Sequence, residues 1–274
     1  PDKVCHGKGI SLVQRRGCSP RSSCCANGTF GPTMPDLSVL IVTYNNESDI
    51  GPCLDSVAAI EGLTVETIVL DNDSTDRTVE MAGIHSLCAT VIAAGENLGF
   101  GAGMNRAADA ATGTNLLLLN PDAILESGAA ERLVRRSTER SDAAMYGGLT
   151  VYSDGALNAN TVRRLPSIRA MIMFAAGLSI ISERVTDFER LPLPVGDEVR
   201  PVPMLTGSLM LIPRAVWDEL DGFDERYFMY AEDTDICARI AEAGHPILLD
   251  PLARIVHDGG ASTPDGGRKA AMMM

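Results

Sequence analysis

Four short apolar runs, separated by segments with helical periodicity, constrain the fold of this sequence more than any other feature. They cover residues 37–43, 65–70, 90–93 and 116–119, and they are rich in Val, Ile and Leu. Buried strands that alternate with helices at this spacing pair in parallel through right-handed crossovers. The sequence therefore predicts an α/β fold with a Rossmann-like, mostly parallel central sheet flanked by helices.

The second half of the chain predicts a smaller and less regular region. Apolar runs at 143–151, 204–212, 247–249 and 254–257 indicate further strands, and helical patterns cover 127–140 and the residues up to 243. An irregular stretch rich in Arg and Pro spans 154–203. With 274 residues and 45% hydrophobic content, the chain is long enough for one large core. We predict a single domain over residues 34–274.

Residues 1–33 differ in composition from the rest of the chain. They hold four of the seven cysteines and five basic residues against Asp2, and they show no apolar periodicity. The cysteines lack the paired C-x-x-C spacing of a zinc site, and no apolar run indicates a signal peptide. We predict a disordered or non-native tail. Cys53, Cys88 and Cys237 occur singly in the remainder, which fits a reducing compartment.

Charge and hydropathy exclude two broad classes of function. The formal net charge of −13 argues against nucleic acid as a partner, because phosphate neutralisation needs clustered Lys and Arg. No run reaches the roughly 18 apolar residues of a membrane span. The longest candidate is Ala170–Ile181, which predicts either a core helix or an interfacial helix resting on lipid.

Polar residues follow the predicted strands where ligands gather in parallel sheets. Thr43, Asp71, Asn97 and Asp122 all fall at the carboxyl ends of strands. A carboxylate such as Asp71 points into the ligand crevice there, whereas Asp76 suits a helix cap. The glycines of residues 95–103 follow the third strand and not the first, so they do not form a dehydrogenase fingerprint and instead favour close backbone approach to a ligand or a helix.

An acidic and aromatic stretch, residues 223–235, leads into the last long helical pattern. Four aromatic residues stand there beside five carboxylates. Such crowding is costly unless a cation, a substrate hydroxyl or a helix N-terminus uses the charge, so the stretch indicates a site or a capped helix start.

Asp122 and His257 supply oxygen and nitrogen ligands that suit a divalent cation on a diphosphate.

Taken in order, these motifs resemble those of family 2 glycosyltransferases, most closely the bacterial rhamnosyltransferase-like branch. The resemblance covers residues 37 to about 262 and rests on the joint order of seven motifs: Thr43-Tyr44-Asn45, Asp71 to Asp76, Glu96 to Gly101, Asn120-Pro121-Asp122, Gly207-Ser208, Gly222 to Glu225, and Tyr230 to Asp235. It implies a GT-A fold, a nucleotide-diphosphate sugar donor, a divalent cation (Mg²⁺ or Mn²⁺) and inversion at the anomeric carbon.

The resemblance also implies roles for single residues. Asp233 matches the catalytic base, and Glu232 beside it binds hydroxyls of donor or acceptor. Asp122 matches the last acid of the metal motif, and His257 a further metal ligand. The residues expected to bind the donor are Thr43, Tyr44, Asn45, Asp71, Asp73, Asn97, Gly99, Gly101 and Asn120. We accordingly expect a nucleotide-sugar-binding half at 34–125 and an acceptor-side half at 126–274.

Two departures from the family pattern bear on activity. Asn120 replaces the Asp that opens the metal motif, which removes one charge from the metal shell. The chain also ends at Met274, where relatives usually continue, so we expect a C-terminally truncated acceptor side.

The expected reaction moves L-rhamnose or another hexose from a dTDP- or UDP-sugar to a cell-envelope glycan or a polyprenyl-linked acceptor. It would take place in the cytoplasm, with peripheral contact at the inner face of the plasma membrane. The alternatives are a non-catalytic nucleotide-sugar-binding module and a sugar-phosphate nucleotidylyltransferase, although the latter's Gly-rich basic loop is not found after the first strand.

Overall fold

The structure is a computed structural model that describes residues 6–7, 10–13, 34–165, 191 and 196–258, the first two ranges as backbone alone. Its helices are α1 Ile50–Ala58, α2 Thr78–Ile84, α3 Phe100–Ala110, α4 Ala129–Glu139, α5 Arg214–Leu220 and α6 Glu232–Glu242. Its strands are β1 His6–Gly7, β2 Ile10–Val13, β3 Leu37–Thr43, β4 Val65–Asp71, β5 Thr90–Ala93, β6 Asn115–Leu119, β7 Ile124–Leu125, β8 Met145–Val151, β9 Val162–Arg163, β10 Arg200–Val202, β11 Met204–Leu205, β12 Leu209–Pro213 and β13 Ile247–Val256.

One mixed sheet organises the described part of the chain. Its order is β1-β2-β5-β4-β3-β6-β12-β8-β13-β10, with β7 on β13. Strands β5, β4, β3 and β6 pair in parallel, as the alternating apolar runs predict. Strand β12 runs antiparallel between β6 and β8, and β8 is parallel to β13. The carboxyl ends of β3, β4 and β6 consequently lie at one edge of the sheet.

The core lies on both faces of this sheet. Side chains alternate along β3, so that Leu40 and Val42 face the layer of α3 and α6, whereas Val39 and Ile41 face the layer of α1 and α4. The approach of α3 to the sheet is close, since a Cβ on Gly103 would lie 3.0 Å from Val42 Cγ1. The small residues of this helix therefore bring its N-terminus tight against the ends of β3 and β4.

The predicted strand over 204–212 is wrong in one respect, because it is two strands. Residues Met204–Leu205 pair with β9 in a separate two-stranded sheet, and Leu209–Pro213 enter the main sheet. The residues between them, 206–208, turn the chain from one sheet to the other. Conversely, the two short strands predicted near 247–257 are one strand, β13, with an irregularity between Asp250 and Arg254.

Strand β13 contains a buried carboxylate, Asp250, just before its irregularity. Asp250 is 1% exposed, and its Oδ2 accepts a hydrogen bond from Arg136 Nε at 2.9 Å. Its Oδ1 accepts the Leu252 N–H at 3.0 Å. A buried charge that is paired and hydrogen-bonded in this way is tolerated within a strand.

Several sequence expectations fall at the margins of the described ranges. Within residues 1–33, the structure describes 6–7 and 10–13, where β1 and β2 form and β2 pairs with β5. The apolar segment Ala170–Ile181 lies outside the described residues.

Cys53 and Cys237 are free and buried, but Cys88 is disulfide-bonded, so the expectation of single cysteines fails there. None of the helices within the described ranges is long and apolar enough to cross a bilayer.

Candidate active site

The ends of β3 and β4 form the first part of the site. Thr43 and Asp71 are direct neighbours in the two strands, and Thr43 Oγ1 donates to Asp71 Oδ1 at 3.0 Å. Both residues are buried. The Asp71 carboxylate also accepts the Ser74 N–H and hydroxyl. These bonds fix the loop after β4, and they orient the carboxylate that the sequence predicts to bind the donor.

The loop after β3 is tied to the loop after β4. Asn45 has a φ of 56°, and its Oδ1 accepts the Thr75 N–H at 2.9 Å. Its own N–H donates to Ser74 Oγ at 2.9 Å. Tyr44 and Asp73 are exposed beside this contact. Four predicted donor-binding residues, Tyr44, Asn45, Asp71 and Asp73, thus lie on or next to two loops that are hydrogen-bonded to each other.

Asp76 has the capping role that the sequence predicts. Its Oδ1 accepts the N–H of Thr78, the first residue of α2, at 3.0 Å. Its Oδ2 accepts the Glu47 N–H at 3.1 Å. Desolvation by burial raises the pKa of Asp76, but the hydrogen bonds from Thr78 and Glu47 lower it. The net result is a pKa below the ordinary value of an aspartate. The carboxylate therefore both starts α2 and joins it to the loop after β3.

Asn72 is a site residue that the sequence reading missed. It is 3% exposed, and its Nδ2 donates to the Gly99 carbonyl at 2.9 Å while its Oδ1 accepts the Leu98 N–H at 3.4 Å. The side chain thereby joins the loop after β4 to the glycine loop before α3. The signal available in the sequence was an amide directly after a buried strand, between two carboxylates already singled out.

The glycine loop contacts the acidic and aromatic stretch. Gly99 has a φ of 83°, and a Cβ there would lie 2.3 Å from the Phe228 carbonyl oxygen. The Phe100 N–H donates to that same oxygen at 3.0 Å. A Cβ on Gly101 would lie 3.5 Å from the Cβ of Glu232. The glycines thus allow a close backbone approach, and Asn97 is exposed with its Oδ1 accepting the Gly99 N–H.

Asp122 and His257 lie together although they come from distant parts of the sequence. Asp122 Oδ1 is 3.0 Å from His257 Nε2, and the side chains are 11% and 14% exposed. Asn120 precedes them at the end of β6, where its carbonyl accepts the Cys53 thiol and its N–H donates to the Ser208 carbonyl. In the part of the chain that the structure describes, no group of three or more His, Cys, Asp and Glu side chains is arranged for a metal ion.

Glu232 and Asp233 begin α6. Desolvation by burial raises the pKa of Glu232 to about 7, and the neighbouring Asp233 charge adds to the increase. Burial also raises the pKa of Asp233, against hydrogen bonds from Thr234 and Gly207 that lower it. A carboxylate with a raised pKa is suited to accept a proton near neutral pH. Asp235 pairs with Arg239 on the same helix and belongs to the helix start.

The aromatic residues between the glycine loop and α6 are exposed, so core packing does not explain them. Tyr227, Phe228, Met229 and Tyr230 are between 37% and 56% exposed. Tyr230 has a φ of 78°, a conformation that costs free energy in a non-glycine residue and that clusters at functional sites. Phe223, at the start of the stretch, is instead buried against Trp217 and Phe100.

Two shallow clefts are lined in part by the first residues of the acidic and aromatic stretch. The larger measures about 390 Å³ and is lined by Asn105, Asp224, Glu225 and Arg239, among others. Arg239 donates to the carbonyls of Leu220 and Gly222, so its charge is used to hold the loop. The clefts do not include the predicted donor, metal or base residues. We therefore place the candidate site at the carboxyl ends of the strands.

Fold and site together define a class of protein: an α/β enzyme whose strand ends, glycine loop and buried carboxylates face one edge of a mixed sheet. The family model for glycosyl transferase family 2 matches residues 38–189. An N-acetylglucosaminyl-diphospho-decaprenol L-rhamnosyltransferase of Mycobacterium tuberculosis is 30% identical over 83% of this chain and 77% of its own length. The chain belongs to the family 2 glycosyltransferases.

Solved structures show the same fold. A mannosyltransferase of Pyrobaculum calidifontis, in complex with GDP-Man and Mn²⁺, has a TM-score of 0.58 at 20% identity, covering 88% of this chain and 60% of its own. GalNAc-T7 with UDP, GalNAc and Mn²⁺ has a TM-score of 0.66 at 18% identity, covering 82% of this chain and 43% of its own. The predicted GT-A fold is confirmed. The family match, and not these structures, decides against the nucleotidylyltransferase alternative.

Proposed function

We propose that this protein is an inverting, metal-dependent glycosyltransferase that moves L-rhamnose or another hexose from a dTDP- or UDP-sugar to a cell-envelope glycan or a lipid-linked acceptor. The observation that carries the proposal is the contact between Asp122 and His257 at 3.0 Å. These side chains were expected to share a cation, and they meet at the end of β6, beside the donor-binding loops. The mycobacterial relative, an N-acetylglucosaminyl-diphospho-decaprenol L-rhamnosyltransferase, supports the choice of sugar and acceptor.

The residues present fit a divalent cation that is completed by the donor. The Asp122 carboxylate and the His257 imidazole would hold the cation, and oxygens of the donor diphosphate and of water would supply its other ligands, as is common for Mg²⁺ and Mn²⁺. Asn120 adds an amide in place of a charge. When bound, the cation would neutralise charge developing on the leaving diphosphate. The Mn²⁺ in both solved relatives supports this assignment.

Asp233 takes the role of the base. The acceptor hydroxyl gives its proton to the Asp233 carboxylate as its oxygen bonds to the anomeric carbon from the face opposite the diphosphate. The bond from that carbon to the diphosphate breaks, and the nucleoside diphosphate leaves with the electron pair. Because attack and departure occur on opposite faces, the configuration inverts. Glu232 lies next to the base at a position where it can bind a sugar hydroxyl.

The site of action follows from the proposed substrates. Nucleotide sugars are cytoplasmic metabolites, and a polyprenyl-linked acceptor is embedded in a membrane. We therefore propose that the enzyme works in the cytoplasm at the inner face of the plasma membrane, through peripheral contact.

The test is transfer from a panel of nucleotide sugars in Mg²⁺, Mn²⁺ or a chelator. We expect one preferred donor, loss of transfer in the chelator, and a product of inverted configuration by NMR. Asp233→Asn should retain donor binding and lose turnover by about two to four powers of ten. Glu242→Gln, an exposed carboxylate at the other end of α6, is the matched control. Donor binding without turnover in the wild-type protein would indicate the non-catalytic module instead.

A further inference from the structure

The turn at residues 206–208, between β11 and β12, contacts both halves of the candidate site. The Gly207 N–H donates to Asp233 Oδ2 at 3.4 Å. One residue further on, the Ser208 carbonyl accepts the Asn120 N–H at 3.3 Å. Two consecutive residues of one turn therefore join the proposed base to the loop that carries Asp122.

Buried hydroxyl groups anchor this turn. Ser208 is 7% exposed, and its Oγ lies 3.3 Å from Thr150 Oγ1 near the end of β8. The Thr206 N–H donates to the Thr161 carbonyl at 3.4 Å, and Thr161 Oγ1 accepts the Thr150 N–H at 3.2 Å. Buried polar networks with satisfied partners rigidify their surroundings. The hydrogen bonds of the residues on either side of Gly207 consequently hold its N–H in a fixed position.

The two oxygens of Asp233 differ in their surroundings. Oδ1 accepts the Thr234 N–H at 2.7 Å and the Thr234 hydroxyl at 3.3 Å, so α6 itself engages it. Oδ2 instead accepts the N–H of Gly207, which lies outside α6, in the turn between β11 and β12. A carboxylate oxygen has two lone pairs, which leaves Oδ2 able to accept a second donor. Oδ2 is therefore the oxygen suited to take the acceptor proton.

We propose that the backbone N–H of Gly207 is a positioning group that aims Asp233 Oδ2 at the acceptor hydroxyl, and that the Ser208–Asn120 bond keeps this base in register with the metal loop. The inference rests on the proposed function and adds to it the group that orients the base. A side chain at position 207 is not required for the role. A Cβ there would meet Phe100 Cε1 at 3.6 Å and Asp233 Cβ at 3.9 Å, which are ordinary contacts.

The Gly207 N–H also affects the protonation of Asp233. The titratable and charged groups coupled to this carboxylate include the carboxyl of Glu232 and the thiol of Cys237 on α6 and the guanidinium of Arg163 on β9. Burial raises the pKa of Asp233, while the bonds from Thr234 and Gly207 and the charge of Arg163 lower it. A hydrogen bond to the charged form lowers a pKa. Loss of the Gly207 bond should accordingly raise the pKa of Asp233.

The test compares two replacements that differ by a single atom group. Gly207→Ala retains the N–H and is the reference protein for the ester. Replacement of the same residue by lactic acid gives the ester analogue of that alanine, in which an ester oxygen stands in place of the N–H donor. We expect the ester to lower kcat about tenfold. The acid limb of its pH profile should move upward by about half a pH unit to one unit, with donor affinity unchanged. Identical profiles for the alanine and ester proteins would overturn the proposal.

A second measurement uses the wild-type protein and needs no activity. The amide shift of Gly207 should titrate with the Asp233 carboxylate in NMR spectra, and this titration should disappear in Asp233→Asn. If the chemical shift of the Gly207 amide does not change as Asp233 titrates, the positioning role is refuted, even if sugar transfer is observed. A coupled titration in a protein that transfers no sugar would instead refute the proposed function and leave the contact in place.

Discussion

The Oδ1 atom of Asp122, after β6, lies 3.0 Å from the Nε2 atom of His257, after β13. Each side chain supplies a ligand that divalent cations accept. Removal of the Asp122 carboxylate should therefore weaken binding of the cation, and binding of the donor diphosphate with it. We expect Asp122→Asn to lower the Mn²⁺-dependent affinity for the nucleoside diphosphate by at least about tenfold. Calorimetric titration of the diphosphate, with and without Mn²⁺, measures this effect.

Glu126→Gln is the control for that prediction, since Glu126 is an exposed carboxylate a few residues further along the chain, directly after β7. It should leave the Mn²⁺-dependent affinity unchanged. Equal losses in both variants would mean that overall charge, and not a metal ligand, governs the affinity. An Asp122→Asn protein that binds the diphosphate as the wild type does in Mn²⁺ would remove the carboxylate from the metal site.

The parallel part of the sheet could be predicted because each strand is encoded by a local apolar run. The turn at 206–208 could not, because apolar residues continue on both sides of it and the choice of sheet for each half depends on tertiary pairing. The role of Asn72 escaped prediction for a related reason: its partner is the Gly99 carbonyl, in another loop. Asp122 and His257 could each be selected as a cation ligand from residue type and position, and the resemblance added their roles, but nothing in the local sequence of either shows that the two side chains meet.

The contact between Gly99 and Phe228 should be intolerant of a methyl group. Gly99→Ala would place a Cβ 2.3 Å from the Phe228 carbonyl oxygen in a residue with a φ of 83°. We expect a loss of about 2 to 4 kcal/mol in the free energy of unfolding, from backbone strain plus overpacking, and a raised donor KM. Urea unfolding and donor kinetics measure the two effects.

Gly95→Ala is a matched control for Gly99→Ala. Gly95 has a φ of 78°, but a Cβ there meets no atom within 4 Å. The strain of the left-handed backbone is therefore common to both variants, and the difference in stability reports the Phe228 contact. Similar losses in the two variants would show that the glycine loop and the aromatic stretch are not coupled through this contact.

The exposed ring of Phe228 is expected to contact the acceptor. Phe228→Ala retains the backbone carbonyl that accepts the Phe100 N–H, so the loop should remain in place. We expect the acceptor KM to rise about fivefold with little change in the donor KM, since aromatic contacts contribute about 1 kcal/mol beyond burial. Ile84→Ala, which truncates an exposed side chain at the end of α2, should change neither constant. A rise in donor KM alone would assign Phe228 to the donor side.

Glu232 should make the protein less stable as the pH rises. Burial raises the pKa of its carboxyl from 4.5 to about 7, so between these values the folded state holds a proton that the unfolded state releases. The stability of the wild type should therefore fall from about pH 4.5 upward and level off above pH 7, by at most about 3 kcal/mol from this group. Glu232→Gln cannot release a proton, so this part of the pH dependence should disappear.

Urea unfolding at several pH values from 4.5 to 8 measures the slope of stability against pH, and Glu242→Gln should retain the slope of the wild type. Parallel curves for the wild type and Glu232→Gln would contradict the raised pKa and would favour a Glu232 that is ionised throughout this range.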